Sequence, residues 1–234
     1  MKTLIIIPTY NEKENIKNLI PAIKKINKKI DILVVDDNSP DGTASVVSNL
    51  RRKDKTVKLL QRPGKYGLGK AYVEGFKYAL KENYDFIFEM DADFSHDPKY
   101  IPDFLKEIRS NDLVIGSRYL NGVSVVNWPI SRLILSKFAS FYTRLITGLP
   151  LTDCTSGYKC YRRKVIEAIN PDKIYSDGYA FQIEMHYKAW KKGFKIKEIP
   201  VIFVDRHSGT SKMSRKVMFE AAMVVWKLKM GINK

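Results

Sequence analysis

Cysteine and histidine are scarce in this chain. Among 234 residues there are two cysteines, Cys154 and Cys160, and three histidines, His96, His186 and His207. That supply is too thin for a Cys/His zinc cluster at the usual ligand count. The two thiols read as buried and inert, and the isolated histidines as hydrogen-bonded structural groups. No apolar run approaches the roughly 20 residues that span a bilayer. Met1-Lys2-Thr3 leads at once into the short run Leu4-Ile5-Ile6-Ile7, which is too brief for a secretory signal core. No internal repeat or long linker is present. The expectation is a reduced, cytoplasmic chain, one domain with a terminal helix. Acid is also in short supply: 41 Lys+Arg stand against 25 Asp+Glu, a formal charge of +16. Such an excess attracts polyanions, whether nucleic acid, phosphorylated substrates or anionic lipid.

What is present is an alternation of apolar runs and helical periods. Residues 4–7 read as a first buried strand. Asn11 with Glu14 is placed to form a capping box for a helix carrying Ile16, Leu19, Ile20, Ile23 and Ile26, which Pro21 should kink or split. Asp31–Val35 and Val57–Leu60 read as strands, separated by a helix that Asp41 or Thr43 caps. Tyr84–Met90 and Asp112–Tyr119 follow as strands, with a helix over 98–108 between them. Residues 195–204 read as a further strand. This alternation predicts an α/β fold with a largely parallel sheet and right-handed connections, so the strand ends share one edge.

Polar clusters gather at that edge. The fourth strand ends in Asp91-Ala92-Asp93-Phe94-Ser95-His96, and the second in Asp36-Asp37-Asn38-Ser39-Pro40-Asp41-Gly42-Thr43. Two carboxylates one residue apart are either a polar turn or a place to share a divalent ion with substrate phosphates. Open α/β sheets bind ligands at this edge, and several converging polar ends look like a site. Gly64-x4-Gly69-Lys70 has phosphate-loop spacing, but Ala71 stands where the motif needs a metal-binding hydroxyl. It reads instead as a flexible basic loop entering the helix around Ala71, Phe76, Ala79 and Leu80. Asp153–Lys159 reads as a polar loop, and a helix starts near Gly178.

Two helices are unusually apolar. One opens at Trp128-Pro129-Ile130-Ser131-Arg132 and carries Leu133, Ile134, Leu135, Phe138, Phe141, Tyr142, Leu145 and Ile146, with Lys137 and Arg144 a heptad apart. Its broad apolar face packs on the core or lies on a membrane surface, with core packing the default expectation. The other runs from Met213 to Lys234, with basic residues bracketing an apolar centre that includes Trp226. It suits a membrane interface, or docking on the domain or a partner subunit. The expected division is 1–212 as the catalytic domain and 213–234 as this amphipathic helix.

The ordered set Pro8-Thr9-Tyr10-Asn11-Glu12, Asp36–Thr43, Gly67-Leu68-Gly69, Asp91-Ala92-Asp93, Gly116-Ser117-Arg118-Tyr119 and Arg206…Lys212 resembles family 2 glycosyltransferases of the GT-A fold. The longer acidic loop, the Ser-His after Asp93 and the segment Trp128-Pro129…Ser131-Arg132 resemble, more narrowly, the dolichyl-phosphate mannose synthases. The resemblance covers nearly the whole chain, from Leu4 to Lys212. It implies a Rossmann-like sheet flanked by helices and a donor, GDP-mannose, whose nucleoside Pro8, Tyr10, Glu12, Val35 and Asp37 would hold. Asp91, Ala92 and Asp93 would meet the diphosphate and its Mg²⁺ or Mn²⁺. Ser95 is a third candidate for the metal, standing where some relatives carry a ligating glutamine. Arg118, Arg206 and Lys212 would surround the phosphates and, with Asp93, carry catalysis. Arg118, Arg132 and Ser136 would bind the phosphate of the acceptor, a polyprenyl or dolichyl phosphate.

The resemblance further implies a peripheral site on the cytoplasmic face of a membrane, through the lipid surface or a small membrane subunit. A lipid phosphomonoester has a second pKa near 6, so it is mostly dianionic at neutral pH and needs little help from a general base. The protein must instead hold two repelling phosphate groups together, which a metal ion and arginines can do. A single in-line displacement with inversion follows. The alternatives are transfer from a UDP-sugar such as UDP-glucose to the same lipid class or to a polysaccharide, and a nucleic-acid-binding protein. Against the last, the basic residues are spread along the chain, no nucleic-acid motif is present, and the strand ends are acidic.

Overall fold

The computed structural model describes residues 1–205 and 215–232. Strand and helix alternate through β1 (Thr3–Thr9), α1 (Lys13–Ile26), β2 (Asp31–Asp36), α2 (Thr43–Lys53), β3 (Val57–Gln61), α3 (Leu68–Lys81) and β4 (Phe86–Glu89). After a 3₁₀ turn at Pro98–Tyr100 come α4 (Ile101–Glu107), β5 (Leu113–Ser117), β6 (Val125–Val126), α5 (Ile130–Thr147) and β7 (Lys159–Arg162). The described chain ends with α6 (Arg163–Ile169), α7 (Gly178–Lys191), β8 (Ile196–Pro200), β9 (Phe203–Val204) and α8 (Arg215–Met230).

Seven strands form one sheet in the order β3-β2-β1-β4-β7-β5-β8. Neighbours are parallel except at β7, which runs antiparallel to both β4 and β5. β6 and β9 make a separate parallel pair. Both faces of the central strands are covered, which is why they read as unbroken apolar runs. Ile5, Ile7, Ile32, Val34 and Phe88 pack with α1 and α4 on one face, and Leu4, Ile6, Leu33, Val35 and Ile87 with α3, α6 and α7 on the other. Strand order reverses at β1, with β2 on one side and β4 on the other. The crevice opened by that reversal is where open α/β sheets take ligands. Ile6 pairs with Glu89 and Thr9 with Asp36, so the chain leaves β4 toward Asp91 and β2 toward Asp37 beside the end of β1.

Several local expectations are revised. Pro21 does not split the helix, since α1 runs through it. Pro21 is exposed, so the hydrogen bond it cannot make is lost on the solvent side. No capping box forms, because Asn11 has a left-handed φ of 61° and no side chain of α1's own caps it. The acidic loop caps α1 from outside instead. Asn11 N–H donates to Ser39 Oγ at 3.0 Å, Glu12 N–H to Thr43 Oγ1 at 3.1 Å and Lys13 N–H to Asp41 Oδ2 at 3.0 Å. The strand expected over 195–204 divides into β8 and β9. The expected polar loop ends in a strand the sequence did not show, β7, whose four residues are charged at both ends and carry no alternation.

α5 is turned inside out. Its buried residues are Ser140, Thr143 and Thr147. Ile130, Ile134, Phe138, Phe141 and Leu145, spaced as one helical stripe, are 57–75% exposed. The default expectation that this face packs on the core is not met, because the apolar stripe points outward. α8 packs Val225 and Leu228 against Ile183 and Tyr187 of α7 and leaves Met223, Trp226 and Met230 exposed.

Beneath the crevice, Lys159 of β7 and Glu89 of β4 form an ion pair at 3.3 Å with both side chains fully buried. Desolvation pushes Glu89 up and Lys159 down, each toward its neutral form, and their mutual attraction opposes this. Tyr161 donates to Glu89 at 2.7 Å and Lys159 donates to Gln182. Replacing Lys159 alone strands a buried charge. Lys159→Met is expected to cost about 3–5 kcal/mol, read from the denaturant midpoint, and the double variant Glu89→Gln/Lys159→Met to recover most of it.

Candidate active site

Pro8, Tyr10, Glu12, Asp37, Asp91, Ala92, Asp93, Ser95, Arg118 and Arg132 all line one cleft of about 410 Å³ at the C-terminal edge of the sheet. Val35 does not line it, because its side chain lies in the core. Ser136 lines an adjoining cavity instead. Arg206 and Lys212, like His207, lie outside the described residues.

The polar residues are held partly by distant partners and partly by their own turns. Asp37 is only 6% exposed and sits 2.8 Å from Arg62, a residue the sequence did not single out. It also accepts from Tyr66 N–H at 3.2 Å. Burial raises its pKa above the usual carboxylate value, and Arg62 offsets part of that. Its neighbour Asp36 is structural, accepting from Thr9 Oγ1 at 2.9 Å and from Ser39. Asp41 is structural too. Burial opposes its ionisation, but hydrogen bonds from Thr43 and Lys13 outweigh this and lower its pKa. Of the acidic loop, only Asp37 enters the cleft.

The Asp-x-Asp turn is built by its own neighbours. Phe94 takes a left-handed φ of 62°, which folds Ser95 and His96 back on the carboxylates. Ser95 donates to Asp93 Oδ1 through its N–H at 3.1 Å and its hydroxyl at 2.5 Å. His96 is buried and stacked on Tyr158 at 4.8 Å, and its Nδ1 accepts from Asp91 N–H at 2.8 Å. An accepting Nδ1 puts the ring proton on Nε2, 3.9 Å from Asp91 Oδ2. Burial lowers the pKa of His96 and keeps it neutral, while Asp91 and Asp93 oppose the shift. Tyr72 donates to Asp91 Oδ1 at 3.2 Å. The expectation of hydrogen-bonded structural histidines holds for His96, and for His186, whose Nδ1 lies 3.0 Å from Cys154 O. Both cysteines are buried free thiols.

The cationic wall is equally ordered. Asp153, fully buried, takes Arg118 bidentately at 2.6 and 2.6 Å, and Thr155 accepts from the same guanidinium at 2.7 Å. Burial alone would lower the pKa of Arg118, but Asp153 outweighs it and fixes the positive charge. Arg132 lies over the Trp128 ring at 4.0 Å and pairs with Asp205 at 2.6 Å. Ser136 Oγ accepts from the Tyr119 hydroxyl at 2.7 Å. Above the cleft, Gly67 has φ of 103°, and a Cβ there would fall 1.8 Å from Asp177 Oδ2. Asp177 also accepts from Gly69 N–H, tying the glycine loop to the start of α7.

Arg118, Arg132, Thr155 and Tyr179 line both this cleft and an apolar cavity of about 220 Å³ between α5, α7 and α8. The arrangement is an acidic floor, a cationic wall and an apolar room beyond it. Asp91 and Asp93 suit a hard divalent ion, which typically takes one or two carboxylates and completes its shell with water and substrate phosphates. Among the described residues no group of three or more His, Cys, Asp or Glu could hold a metal ion.

Residues 4–169 match the family model for glycosyl transferase family 2. The chain belongs to that family. It is 44% identical over 225 residues to the undecaprenyl-phosphate mannosyltransferase of Micrococcus luteus, covering 96% of this chain and 93% of that protein. It is 43% identical over 227 residues to the polyprenol monophosphomannose synthase of Mycolicibacterium smegmatis, covering 94% and 86%. Among solved structures, glucosyl-3-phosphoglycerate synthase of Mycobacterium tuberculosis with Mn²⁺, UDP and glucosyl-3-phosphoglycerate superposes with a TM-score of 0.70 at 14% identity, covering all of this chain and 81% of that one. The UDP complex of that synthase gives 0.69 at 16% identity. The fold of this family 2 glycosyltransferase is therefore GT-A-like.

Because His96 orients Asp91 from behind, His96→Ala is expected to lower glycosyl transfer by about 10–100-fold while circular dichroism and the thermal midpoint show a folded protein. Unchanged turnover would remove His96 from the site's construction.

Proposed function

We propose that this glycosyltransferase moves mannose from GDP-mannose to a polyprenyl (dolichyl) phosphate, with inversion at the sugar carbon, giving polyprenyl-phosphate mannose. The carrying observation is the junction of the two cavities. A cleft suited to a nucleoside diphosphate meets an apolar cavity at Arg118 and Arg132, which is what an acceptor with a phosphate head and a hydrocarbon tail requires. The names of the two close relatives favour mannose and polyprenyl phosphate over a UDP-sugar.

In this reading Tyr10 offers a ring face, Asp37 a carboxylate for base N–H groups, and Glu12 an acceptor for ribose hydroxyls. Asp91 and Asp93 hold Mg²⁺ or Mn²⁺, which when bound would neutralise charge on the departing diphosphate. Arg118 and Arg132, with Ser136, hold the acceptor phosphate. Arg132 is supported on Trp128 and can exchange Asp205 for the incoming anion. A dianionic phosphate attacks without a general base, so the site's work is to position two anions in line and offset their repulsion. Arg206 and Lys212 are proposed to add charge to the donor phosphates.

The acceptor lives in a bilayer, and no helix among the described residues is long and apolar enough to cross one. The exposed stripes of α5 and α8 are proposed to lie in the membrane interface, on the cytoplasmic face, with Lys137 and Arg144 on α5 and Lys227 and Lys229 on α8 near the lipid headgroups. Free buried thiols agree with a reducing compartment.

The direct test is incubation of purified protein with polyprenyl phosphate and labelled GDP-mannose or UDP-glucose, with and without EDTA, scored for organic-extractable label. Label is expected from GDP-mannose only, lost with EDTA. Asp93→Ala is expected to lower transfer by at least about 100-fold, on the scale of losing one charge-stabilising group in the transition state. A fully active Asp93→Ala protein would refute the metal role.

A further inference from the structure

A second open cleft, of about 900 Å³, lies where the C-terminal ends of α7 and α8 meet the Pro171–Lys173 turn. It shares no residue with the sugar-nucleotide cleft or the apolar cavity. Five lysines line it, Lys173, Lys188, Lys191, Lys192 and Lys229, against one carboxylate, Asp172. Asp172 is already paired with Lys77 at 2.7 Å, and Lys188 with Glu184. The other four lysines form no ion pair among the described residues. Aromatic rings lie beneath this charge: Lys188 is 5.1 Å from the Tyr175 ring centre, and Lys191 is 5.0 Å from that of Trp190. Tyr175 lines the cleft, and its buried hydroxyl has no hydrogen-bond partner among the described residues. Four like charges gathered on one concave surface repel one another unless an anion joins them.

Met230 connects the cleft to the rest of the molecule. It lines the cleft, and it is 60% exposed on the same face of α8 as Met223 and Trp226, which precede it by seven and four residues. The cleft therefore opens at the margin of the apolar stripe. With that stripe immersed to headgroup depth, the anion brought to the lysines is a lipid phosphate. The volume exceeds what a bare phosphate fills and suits a headgroup.

We propose that this cleft is a headgroup site for an anionic glycerophospholipid, resting on the membrane-facing reading of α5 and α8. Two contacts, an apolar stripe and a lysine cleft at one end of it, fix the rotation of the protein on the membrane. A stripe alone would leave it free to roll, and the apolar cavity would meet the acceptor tail only part of the time.

The test is cosedimentation of the full chain with vesicles of phosphatidylcholine alone or doped with phosphatidylglycerol. Lys191→Gln/Lys192→Gln is expected to lose on the order of 25-fold in affinity for the doped vesicles, about fivefold per lysine. Its binding to phosphatidylcholine alone should be unchanged, as should its transfer to a detergent-solubilised acceptor, which also reports an intact fold. Lys28→Gln/Lys29→Gln removes the same charge from a remote exposed turn and is expected to lose less than threefold. Equal losses in the two pairs would reduce the effect to general electrostatics and overturn the site, as would no loss at Lys191 and Lys192. Phe138→Asp/Phe141→Asp separates the underlying reading: it should release the protein from both kinds of vesicle. Retained binding there would overturn the membrane face and the headgroup site with it.

Discussion

Negative charge concentrated at one edge of a sheet has to be held against its own repulsion, and most of this architecture serves that end. The carboxylate of Asp37 is bound by Arg62, that of Asp91 by Tyr72, that of Asp93 by Ser95 and that of Asp153 by Arg118, while His96 accepts from the Asp91 backbone N–H. Deeper down, Glu89 is bound by Lys159. Arg62, Tyr72, Lys159 and Asp153 reach their partners from other elements and Ser95 from the same turn, so the carboxylates are fixed before any substrate enters. A preorganised site of this kind needs no reorganisation at the moment charge moves.

The same pairing explains how two anionic reactants could share a small volume. The acidic floor repels phosphate unless a cation intervenes, and the arginine wall attracts it outright. Arg118 is committed to Asp153, which orients its guanidinium as well as neutralising part of its field. Arg132 is held more lightly, by a half-buried Asp205 and a ring. A rigid arginine and an exchangeable one, side by side at the junction of the polar and apolar cavities, suit a site that must receive one anion while holding another.

α5 leaves an apolar face outward on a protein that has no membrane-crossing helix among its described residues. Burying Ser140, Thr143 and Thr147 while exposing Ile134, Phe138, Phe141 and Leu145 leaves apolar area in water that ordinary packing would remove. Of the buried three, Thr143 also lines the apolar cavity, with Ser136 and Ala139. The helix thus gives its small-residue face to the protein and its greasy face to the outside.

The chain's own order of residues determined the strands, the parallel sheet and the gathering of aspartates at its edge, because apolar runs, helical periods and strand-end polarity are local signals. It also carried most of the cleft: strand-end polarity pointed to Asp37, Asp91, Asp93 and Arg118, the family resemblance added Pro8, Tyr10, Glu12 and Arg132, and all of them line one cleft. Only the tertiary structure decided the partners. Arg62 lies 25 residues from Asp37, Asp153 lies 35 from Arg118, and Asp177 lies 108 from Gly69. The tertiary structure also decided that β7 exists, that Asp36 and Asp41 serve the scaffold, and that α5 faces outward. Such choices rest on which buried group meets which across the sheet, and no local periodicity encodes that.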